Sequence, residues 1–248
     1  MSGKPLRIVV AGSGGKMGHA LIEAARTDSA LRLAGSFDLG DNAAAAVASG
    51  DVLIDFTRPE GTIEHLAHCL ALKKAMVIGT TGFTADQTKE IVAAARKIPV
   101  AQSPNFAVGV NAVFKLAEMA ARILGDGFDV EIVEAHHRHK VDAPSGTALR
   151  LGEIVALALK RDLKKVAAHG RHGDTGARPA KEIAFHAIRG GDIVGEHTVI
   201  FAGVGERVEV TVRSQSRATY ALGALRAAKF LAGRKPGLYS MEDVLGLN

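Results

Sequence analysis

A run of titratable side chains in the middle of the chain carries the strongest chemical signal of the sequence. The stretch EAHHRHKVDAPSGTAL spans residues 134–149, and its first seven residues include three histidines, an arginine and a lysine. Imidazoles exchange protons near neutral pH, and cationic side chains attract anions. Three interpretations follow: a metal site, a solvated basic surface, or an anion pocket that also transfers protons.

The charges of this run argue against a metal site. A metal ion needs neutral imidazoles together with carboxylate or cysteine ligands, whereas Arg138 and Lys140 would repel a dication. We therefore predict no metal ligands, while a solvated basic patch stays open on composition alone. Side chains alternate along a strand, so that His136 would share a face with Glu134 and His137 would point the other way.

The residues after the run favour the anion pocket. A Pro-Ser-Gly-Thr turn predicts the start of a helix, with Ser145 as its N-cap. Gly146 and Thr147 would then present first-turn N–H groups, which form a ready site for a carboxylate. A dicarboxylate held there and by Lys140 would be oriented for proton donation from His136 or Lys140.

A glycine-rich turn near the N-terminus indicates a second site. The sequence AGSGGKMG, residues 11–18, follows an apolar strand pattern and opens a helical one, with a glycine at every third position and one extra. Glycines allow positive φ and close backbone approach, and a helix N-terminus offers N–H groups to a pyrophosphate. The turn predicts dinucleotide binding, with a plain strand–helix turn as the alternative.

An acid after the second predicted strand refines this prediction. Asp38 lies 20 residues beyond Gly18, where a carboxylate accepts hydrogen bonds from an adenosine ribose. It would repel a 2′-phosphate, and the following Leu39 and Gly40 bring no cation, although Lys16 would soften the repulsion. We therefore predict NADH as the preferred cofactor, with NADPH as the alternative.

Two later loops lie at the ends of predicted strands, where ligands of parallel sheets bind. They are GTTG at residues 79–82 and SPNF at residues 103–106. Their small hydroxyl side chains and open backbone predict contacts with the nicotinamide ribose and carboxamide. Ordinary turns are an equal alternative on chemistry alone.

The elements that would position these residues begin with alternating strand and helix patterns. Over the first hundred residues this alternation predicts an α/β fold with a Rossmann-like doubly wound parallel sheet. The predicted strands are 6–12, 31–38, 51–57, 75–81 and 99–105, and the predicted helices are 16–26, 60–74 and 84–97.

The rest of the chain predicts a smaller α+β domain with an open mixed sheet. Its elements are a helix at 108–124, a strand at 128–138, a helix at 145–160, a polar segment at 164–180 and strands at 181–189, 192–202 and 206–214. We expect the last three strands to form an antiparallel meander. A final helix at 218–232 would pack back on the first domain. The predicted domains are residues 1–107 with 217–248, for the dinucleotide, and residues 108–216, for the substrate.

Composition limits the class of protein. The net charge is +5, but basic residues are scattered, tryptophan is absent and aromatics make up only 4%, so we predict no nucleic-acid partner. No apolar run reaches the roughly 20 residues of a membrane helix, and no signal-peptide pattern opens the chain. The single cysteine, Cys69, excludes an internal disulfide and agrees with a cytoplasmic location.

The His-His-Arg-His-Lys-x-Asp-x-Pro-Ser-Gly-Thr run resembles the signature of the 4-hydroxy-tetrahydrodipicolinate reductase family, also called dihydrodipicolinate reductases, of bacterial and plant lysine biosynthesis. Further segments resemble the same family in the same order, so that the likeness covers nearly the whole chain. They are AGSGGKMG, DVLIDFTRPEG, VIGTTGF, SPNFAVGVN and GDIVGEHTVIFAGVGER. The resemblance implies reduction of a six-membered cyclic imine dicarboxylate, derived from aspartate semialdehyde and pyruvate, to tetrahydrodipicolinate with NADH or NADPH.

The resemblance also implies residue roles. His136 would be the catalytic proton donor and acceptor, and Lys140 a proton donor. The substrate-binding residues would be His137, Lys140, Ser145, Gly146 and Thr147. The adenosine diphosphate half of the cofactor would be held by Gly12, Ser13, Gly14, Gly15, Lys16, Met17, Gly18 and Asp38. The nicotinamide side would be lined by Gly79, Thr80, Thr81, Ser103, Pro104, Asn105 and Phe106, with Arg58 and Arg217 near the cofactor and the hinge.

The family pattern further implies two hinged domains that close over the ligands and a homotetramer joined through the second domain's sheet. The chain departs from the pattern in having only 12 residues between Asp38 and the next strand, where many relatives carry a longer insert. Its acid is Asp rather than Glu and lacks the following Arg of some relatives, which favours NADH further. Another amino- or imino-acid nicotinamide dehydrogenase, or a non-catalytic dinucleotide sensor, would share the glycine turn but leave the run from Lys140 to Thr147 unexplained.

Overall fold

The computed structural model describes residues 4–247, and the fold is given for these residues. The chain divides into two compact units, one formed by the chain up to Val108 and again from Arg217, the other by Gly109–Ser216. The strands are β1 (Leu6–Ala11), β2 (Leu31–Phe37), β3 (Val52–Asp55), β4 (Ala75–Ile78), β5 (Pro99–Gln102), β6 (Asp129–His136), β7 (Ala167–His169), β8 (Ile183–Arg189), β9 (Gly195–Ala202), β10 (Arg207–Ser214) and β11 (Gly237–Tyr239). The helices are α1 (Lys16–Arg26), α2 (Ala43–Ser49), α3 (Pro59–Leu72), α4 (Ala85–Ala95), α5 (Val108–Leu124), α6 (Gly146–Ala158), α7 (Leu163–Val166), α8 (Ala218–Leu231) and α9 (Met241–Leu245). No helix within residues 4–247 has both the length and the apolar character needed to cross a membrane.

The first unit is built, within the described residues, on a six-stranded sheet in the order β11-β5-β4-β3-β1-β2. Every neighbouring pair is parallel. Strands β3 and β4 are buried at every residue, as the apolar strands of a sheet covered on both faces must be. The predicted Rossmann-like doubly wound sheet is confirmed.

Helices cover both faces of this sheet. One apolar layer joins Ile8 of β1 with Leu21 of α1 and Leu225 of α8. The other joins Val9 of β1 with Leu66 of α3 and further residues of α2 and α4. Strand β1 lies between β2 and β3, so the loops that follow β1 and β3 meet at the carboxyl edge, where ligands of such sheets bind.

The second unit is built on a five-stranded mixed sheet, which among the described residues has the order β10-β9-β6-β8-β7. Helices α5 and α6 cover one face, where Ala117 and Leu151 join Ile132 and Phe201 in a buried cluster. Residues of β6 alternate between this buried face and a half-exposed one. The predicted open mixed sheet is confirmed.

The antiparallel meander expected at 181–189, 192–202 and 206–214 is wrong in its first pairing. Strands β9 and β10 are antiparallel neighbours, but β8 pairs in parallel with β6, with Ile183 opposite Val130. Strand β6 also pairs with β9 and therefore lies between β8 and β9. An alternating pattern shows which face of a strand is buried but does not identify its neighbours, so three consecutive runs look like a meander.

The connection from β8 to β9 consequently crosses the end of β6. Gly190 donates its N–H to the carbonyl of His136 at 3.0 Å, and Arg138 donates its N–H to the carbonyl of Gly191 at 3.2 Å. Gly191 has a φ of 49°, in the left-handed region that favours glycine. The crossing brings the ends of β6, β8 and β9 together at His136.

Several short elements were not predicted from the sequence, among them α7, β7, β11 and α9. Helix α7 and strand β7 lie in the polar segment at 164–180, and β11 and α9 follow the last predicted helix. Each is three to five residues long. Segments this short are below the window in which hydrophobic periodicity can be read.

Candidate active site

The end of β6 presents a buried carboxylate beside a histidine. Glu134 and His136 point to the same face, as strand alternation predicts, and Nδ1 of His136 lies 2.6 Å from Oε2 of Glu134. Glu134 is 1% exposed. Arg189, at the end of β8, donates to both carboxylate oxygens at 2.6 and 2.8 Å. A buried carboxylate requires a paired charge and hydrogen bonds, and Arg189 supplies both.

The environment lowers the pKa values of both members of this pair. Burial raises the pKa of Glu134, but hydrogen bonds from Arg189 and His136 outweigh burial and hold that pKa below its ordinary value. Burial lowers the pKa of His136, and the attraction of Glu134 opposes this effect without reversing it. At neutral pH the pair is therefore an ionised carboxylate beside a neutral imidazole.

A second buried histidine packs against this pair. His197 of β9 meets His136 edge to face, with ring centroids 5.1 Å apart. Its Nε2 lies 2.9 Å from Oγ of Ser145. Burial, followed by the neighbouring His136, lowers the pKa of His197 to about 4. His197 is thus a neutral ring that holds Ser145 in place.

Helix α6 begins at the same cluster. Ser145 is its N-cap, as predicted, and its Oγ accepts a hydrogen bond from the N–H of Ala148 at 3.2 Å. The N–H of Ser145 itself donates to Glu134 at 3.1 Å. Gly146 follows, and a Cβ built there would meet no described atom within 4 Å outside its chain neighbours and its own helix backbone. The positive end of the helix therefore lies beside the Glu134–His136 pair.

Lys140 and His137 lie in the turn between β6 and α6. The ammonium group of Lys140 contacts both carboxylate oxygens of Asp142, at 2.8 and 2.9 Å, and its side chain is 20% exposed. Nδ1 of His137 is buried and has no hydrogen-bond partner among residues 4–247. Arg138 lies past the end of β6 and is exposed. The turn thus places a cationic group and an unpartnered imidazole nitrogen next to His136.

Arg189 and His197 are members of this cluster that the sequence analysis missed. Their partners Glu134 and Ser145 lie 55 and 52 residues away in the chain. Only the pairing of β6 with β8 and β9 brings them together, and the expected meander would have separated them. One signal was present: His197 occupies an inward position on β9, where the alternate residues are otherwise glycine or apolar.

The glycine turn of the first unit has the geometry of a phosphate-binding loop. Gly12 has a φ of 68°, and a Cβ on Gly18 would lie 2.2 Å from the carbonyl oxygen of Gly12. Gly15 is the N-cap of α1 and gives the helix no side-chain cap. The first-turn N–H groups of α1 are therefore not occupied by a capping side chain, which fits a pyrophosphate at that helix end.

Asp38 is tied to this turn. Its carboxylate accepts hydrogen bonds from the N–H of Gly14 and of Leu39, each at 2.8 Å. The bond from Leu39, followed by that from Gly14, lowers the pKa of Asp38. The side chain is exposed, and within residues 4–247 no lysine or arginine shifts its pKa. An anionic, solvent-facing acceptor thus stands at the end of β2.

An open cavity of about 400 Å³ lies at the loops after β4 and β5. It is lined by Thr80, Thr81, Gly82, Phe83, Thr88, Gln102, Ser103 and Pro104. Four of the predicted nicotinamide-side residues are among them, namely Thr80, Thr81, Ser103 and Pro104. Gly82 belongs to the predicted loop 79–82, whereas Phe83, Thr88 and Gln102 were not predicted.

The other predicted residues of these loops serve the interior. Phe106 is 1% exposed, and its ring lies against that of Phe56 with centroids 5.6 Å apart. A Cβ on Gly79 would lie 2.1 Å from the Phe56 ring. The hydroxyl of Thr80 accepts a hydrogen bond from Thr62 at 2.8 Å in a buried polar network. The Phe106 ring and the Thr80 hydroxyl thus make interior contacts, although Thr80 also lines the cavity.

Arg58 and Arg217 occupy the N-cap positions of α3 and α8, and both are exposed. Neither supplies a capping side-chain hydrogen bond. Across the described part of the chain, no group of three or more His, Cys, Asp or Glu side chains is arranged to hold a metal ion.

Comparison with known proteins places the sequence in a family. Residues 6–106 match the family model described as dihydrodipicolinate reductase, N-terminus, and residues 109–245 match its C-terminal counterpart. Proteins named 4-hydroxy-tetrahydrodipicolinate reductase are similar over almost their full length. That of Aromatoleum aromaticum is 57% identical, covering 98% of this chain and 96% of the relative, and that of Dechloromonas aromatica is 56% identical, covering 97% and 98%.

Solved structures agree with the sequence relatives. A dipicolinate-bound dihydrodipicolinate reductase from Paenisporosarcina sp. TG-14 superposes with a TM-score of 0.81 at 26% identity, covering 96% of this chain and 98% of that one. A probable dehydrogenase from Thermotoga maritima shares the fold at 11% identity, with a TM-score of 0.62 and coverage of 96% and 92%. The family models together span most of the sequence, and the chain therefore belongs to the dihydrodipicolinate reductase family.

Proposed function

We infer that this protein is an oxidoreductase of lysine and diaminopimelate biosynthesis, which reduces the cyclic imine dicarboxylate 4-hydroxy-tetrahydrodipicolinate to tetrahydrodipicolinate with NAD(P)H. Relatives more than 50% identical over almost the whole chain carry that name. The observation that carries the inference is the Glu134–His136 pair beside the N-terminus of α6. It combines a proton-exchanging group with a site for a carboxylate.

We propose the following roles in the second unit. The substrate carboxylates bind to Lys140, to the first turn of α6 at Ser145, Gly146 and Thr147, and to His137. Lys140 now pairs with Asp142, and a substrate carboxylate would replace that partner. His136 exchanges the proton that accompanies hydride addition, with Lys140 as a second proton donor. The neutral state of His136 and its half-buried position support this role.

The first unit is the proposed dinucleotide site. The turn from Gly12 to Gly18 would hold the pyrophosphate, and the loops around the cavity after β4 and β5 would hold the nicotinamide. A nicotinamide bound there supplies the hydride. Support comes from the open helix end of α1 and from the family match over residues 6–106.

We propose that NADH is preferred over NADPH. The carboxylate of Asp38 is ionised and exposed, and it would repel a 2′-phosphate. Titration of the protein with each dinucleotide, followed by NAD(P)H fluorescence, measures the preference. Tighter binding of NADPH than of NADH would contradict it.

We also propose a cytoplasmic homotetramer. The support is the family resemblance and the position of β10, which pairs with β9 alone among the described strands and so leaves an edge that assembly would protect. The only cysteine of the chain, Cys69, is buried, as suits a reducing compartment. Light scattering after size-exclusion chromatography should give four times the mass of the chain.

The activity is tested with substrate that is generated in the assay mixture. A synthase that condenses aspartate semialdehyde with pyruvate is added, and oxidation of NADH and of NADPH is followed by absorbance. Rapid oxidation that depends on the synthase is the expected result. Cofactor binding without turnover would instead indicate a dinucleotide sensor, and turnover with amino acids would indicate another dehydrogenase.

A further inference from the structure

Arg189 joins the separate parts of the cluster at the end of β6. One guanidinium nitrogen, Nη2, donates to Oε1 of Glu134 at 2.6 Å and to the carbonyl of Asp142 at 2.7 Å. The other, Nη1, donates to Oε2 of Glu134 at 2.8 Å and to the carbonyl of Ile188 at 2.7 Å. The same side chain therefore fixes the carboxylate beside His136 and the turn that carries Lys140.

The contacts of Glu134 determine which nitrogen of His136 carries a proton. Oε1 accepts from Arg189 and from the N–H of Ser145, and Oε2 accepts from Arg189 and faces Nδ1 of His136. Every group around the carboxyl is thus a donor, and an ionised carboxylate can only accept. Nδ1 of His136 must therefore be the protonated nitrogen, which leaves Nε2 with a free lone pair in the neutral ring.

Nε2 faces the part of β9 that lacks a side chain. A Cβ built on Gly195 would lie 3.1 Å from Nε2 of His136. The φ of Gly195 is not positive, so the backbone conformation there does not require a glycine. The glycine therefore leaves space beside the unprotonated nitrogen, while Nδ1 is closed off by Glu134.

We propose that Arg189 is a positioning residue for proton transfer: by holding Glu134 as a carboxylate, it fixes His136 as the Nδ1–H tautomer and directs Nε2 to the substrate, where Nε2 takes up a proton from solvent and passes it to the substrate as hydride is added. This rests on the proposed function of His136. Arg189 acts through Glu134, so the ionised state of Glu134 and the tautomer of His136 change together when Arg189 is lost.

Four charged or titratable groups face His136 and set its response to pH. They are Glu134 on its own strand, Lys140 in the following turn, Arg189 on β8 and His197 on β9. Replacing Arg189 by an uncharged residue removes the hydrogen bonds that keep the pKa of Glu134 low. Burial is then less opposed, so the pKa of Glu134 rises and the active carboxylate form is lost at a higher pH than in the wild type.

The first experiment determines the tautomer of His136 by NMR. The protein is labelled with ¹⁵N-histidine, and ring correlations are recorded at neutral pH, with His136 assigned by comparison with His136→Gln. The wild type should show His136 with a proton on Nδ1. In Glu134→Gln the side-chain amide faces Nδ1 as a donor, so the proton should move to Nε2. A wild-type spectrum with the proton on Nε2 would overturn the proposal.

The second experiment reads the consequence for catalysis. Glu134→Gln should lower kcat by about 10²–10⁴-fold, the range of general acid–base catalysis, with the affinity for NADH unchanged. Arg189→Met should lower kcat by about 10-fold and move the acid limb of the kcat/KM profile to higher pH, whereas Arg189→Lys should restore part of both. An unmoved acid limb in folded, NADH-binding Arg189→Met would contradict the proposal.

A matched arginine provides the control. Arg161 pairs with Asp126 at 2.6 Å and its side chain is 3% exposed, but it lies outside the cluster at His136. Arg161→Met should lower the melting temperature and leave kcat and the pH profile of the folded protein unchanged. If the wild type does not turn over the substrate, or if His136→Gln keeps full kcat, the proposed function fails instead of the role of Arg189.

Discussion

The glycine turn of the first unit and the histidine cluster of the second unit are built in different ways. The turn consists of consecutive residues, and its geometry comes from missing side chains: Gly12 adopts a positive φ, and Gly18 lies against the carbonyl of Gly12. The cluster consists of side chains from three strands and a helix end, with Arg189 and Glu134 55 residues apart. The first is a local backbone motif, whereas the second depends on strand order.

The two sites should therefore be sensitive to different kinds of substitution. A backbone motif is disrupted by added atoms, because a new Cβ meets main-chain atoms that cannot move. A side-chain cluster is disrupted by removed or altered polar groups, because a buried donor or acceptor then loses its partner. Substitutions in the two units should therefore separate cofactor binding from proton transfer.

The largest effect is expected from His136→Gln. It removes the proton-exchanging group while keeping a polar side chain of similar size, so kcat should fall by about 10²–10⁴-fold. The KM for NADH should stay near the wild-type value, since His136 belongs to the second unit. Steady-state kinetics with substrate generated in place measure both. A kcat close to that of the wild type would remove His136 from the mechanism.

Gly18→Ala tests the glycine turn of the first unit. The new Cβ would lie 2.2 Å from a carbonyl oxygen and 2.7 Å from Cα of Ser13, so the turn must shift. Overpacking of this kind costs about 1–3 kcal/mol, and the affinity for NADH should fall by about 10-fold or more. Gly61→Ala is the matched control in the same unit, because its Cβ would make only an ordinary contact at 3.4 Å. An equal loss of NADH affinity in Gly18→Ala and Gly61→Ala would contradict the assignment of the glycine turn to cofactor binding.

Gly195→Ala adds a methyl group to the side-chain cluster at His136. The methyl group would lie 3.1 Å from Nε2 of His136, within the space proposed for the reacting substrate atom. We expect kcat to fall by about 10-fold, the effect of roughly 1.4 kcal/mol on the barrier, with the KM for NADH unchanged. Gly127→Ala, which has nothing within 4 Å of its added Cβ, should keep both constants. A rise in the KM for NADH with unchanged kcat would contradict this assignment.

The smallest effect is expected from Asp38→Asn. Removing one exposed negative charge relieves the repulsion toward a 2′-phosphate, so the ratio of kcat/KM for NADH to that for NADPH should fall by about 5-fold. Asp86→Asn removes the same charge from the exposed start of α4 and should leave the ratio unchanged. If Asp38→Asn leaves the ratio where it was, Asp38 does not select the cofactor.

The local features of both sites could be predicted from the sequence. The strand and helix patterns of the first hundred residues gave the parallel sheet, because strands buried on both faces read as continuous apolar runs. Ser145 was identifiable as an N-cap because capping depends on residues within one turn of each other. Alternation along β6 likewise predicted that Glu134 and His136 share a face.

Other features were hidden from the sequence. Phe106 lies in a loop that suits a cofactor, but its ring turns into the interior, and the sequence pattern does not distinguish the two orientations. The short elements β7, β11, α7 and α9 carry too few residues for a period to show.

The family could be identified from the sequence, and the two kinds of site, with His136 and Lys140 in one run, could be predicted from it. Only the tertiary structure decided that β6 lies between β8 and β9, and with it that Arg189 and His197 belong to the cluster. The physical reason is that hydrophobic periodicity records how each strand faces the core, while strand order depends on packing between segments far apart in the chain. The charge that holds Glu134 as a carboxylate is therefore supplied by a strand that the motif itself does not contain.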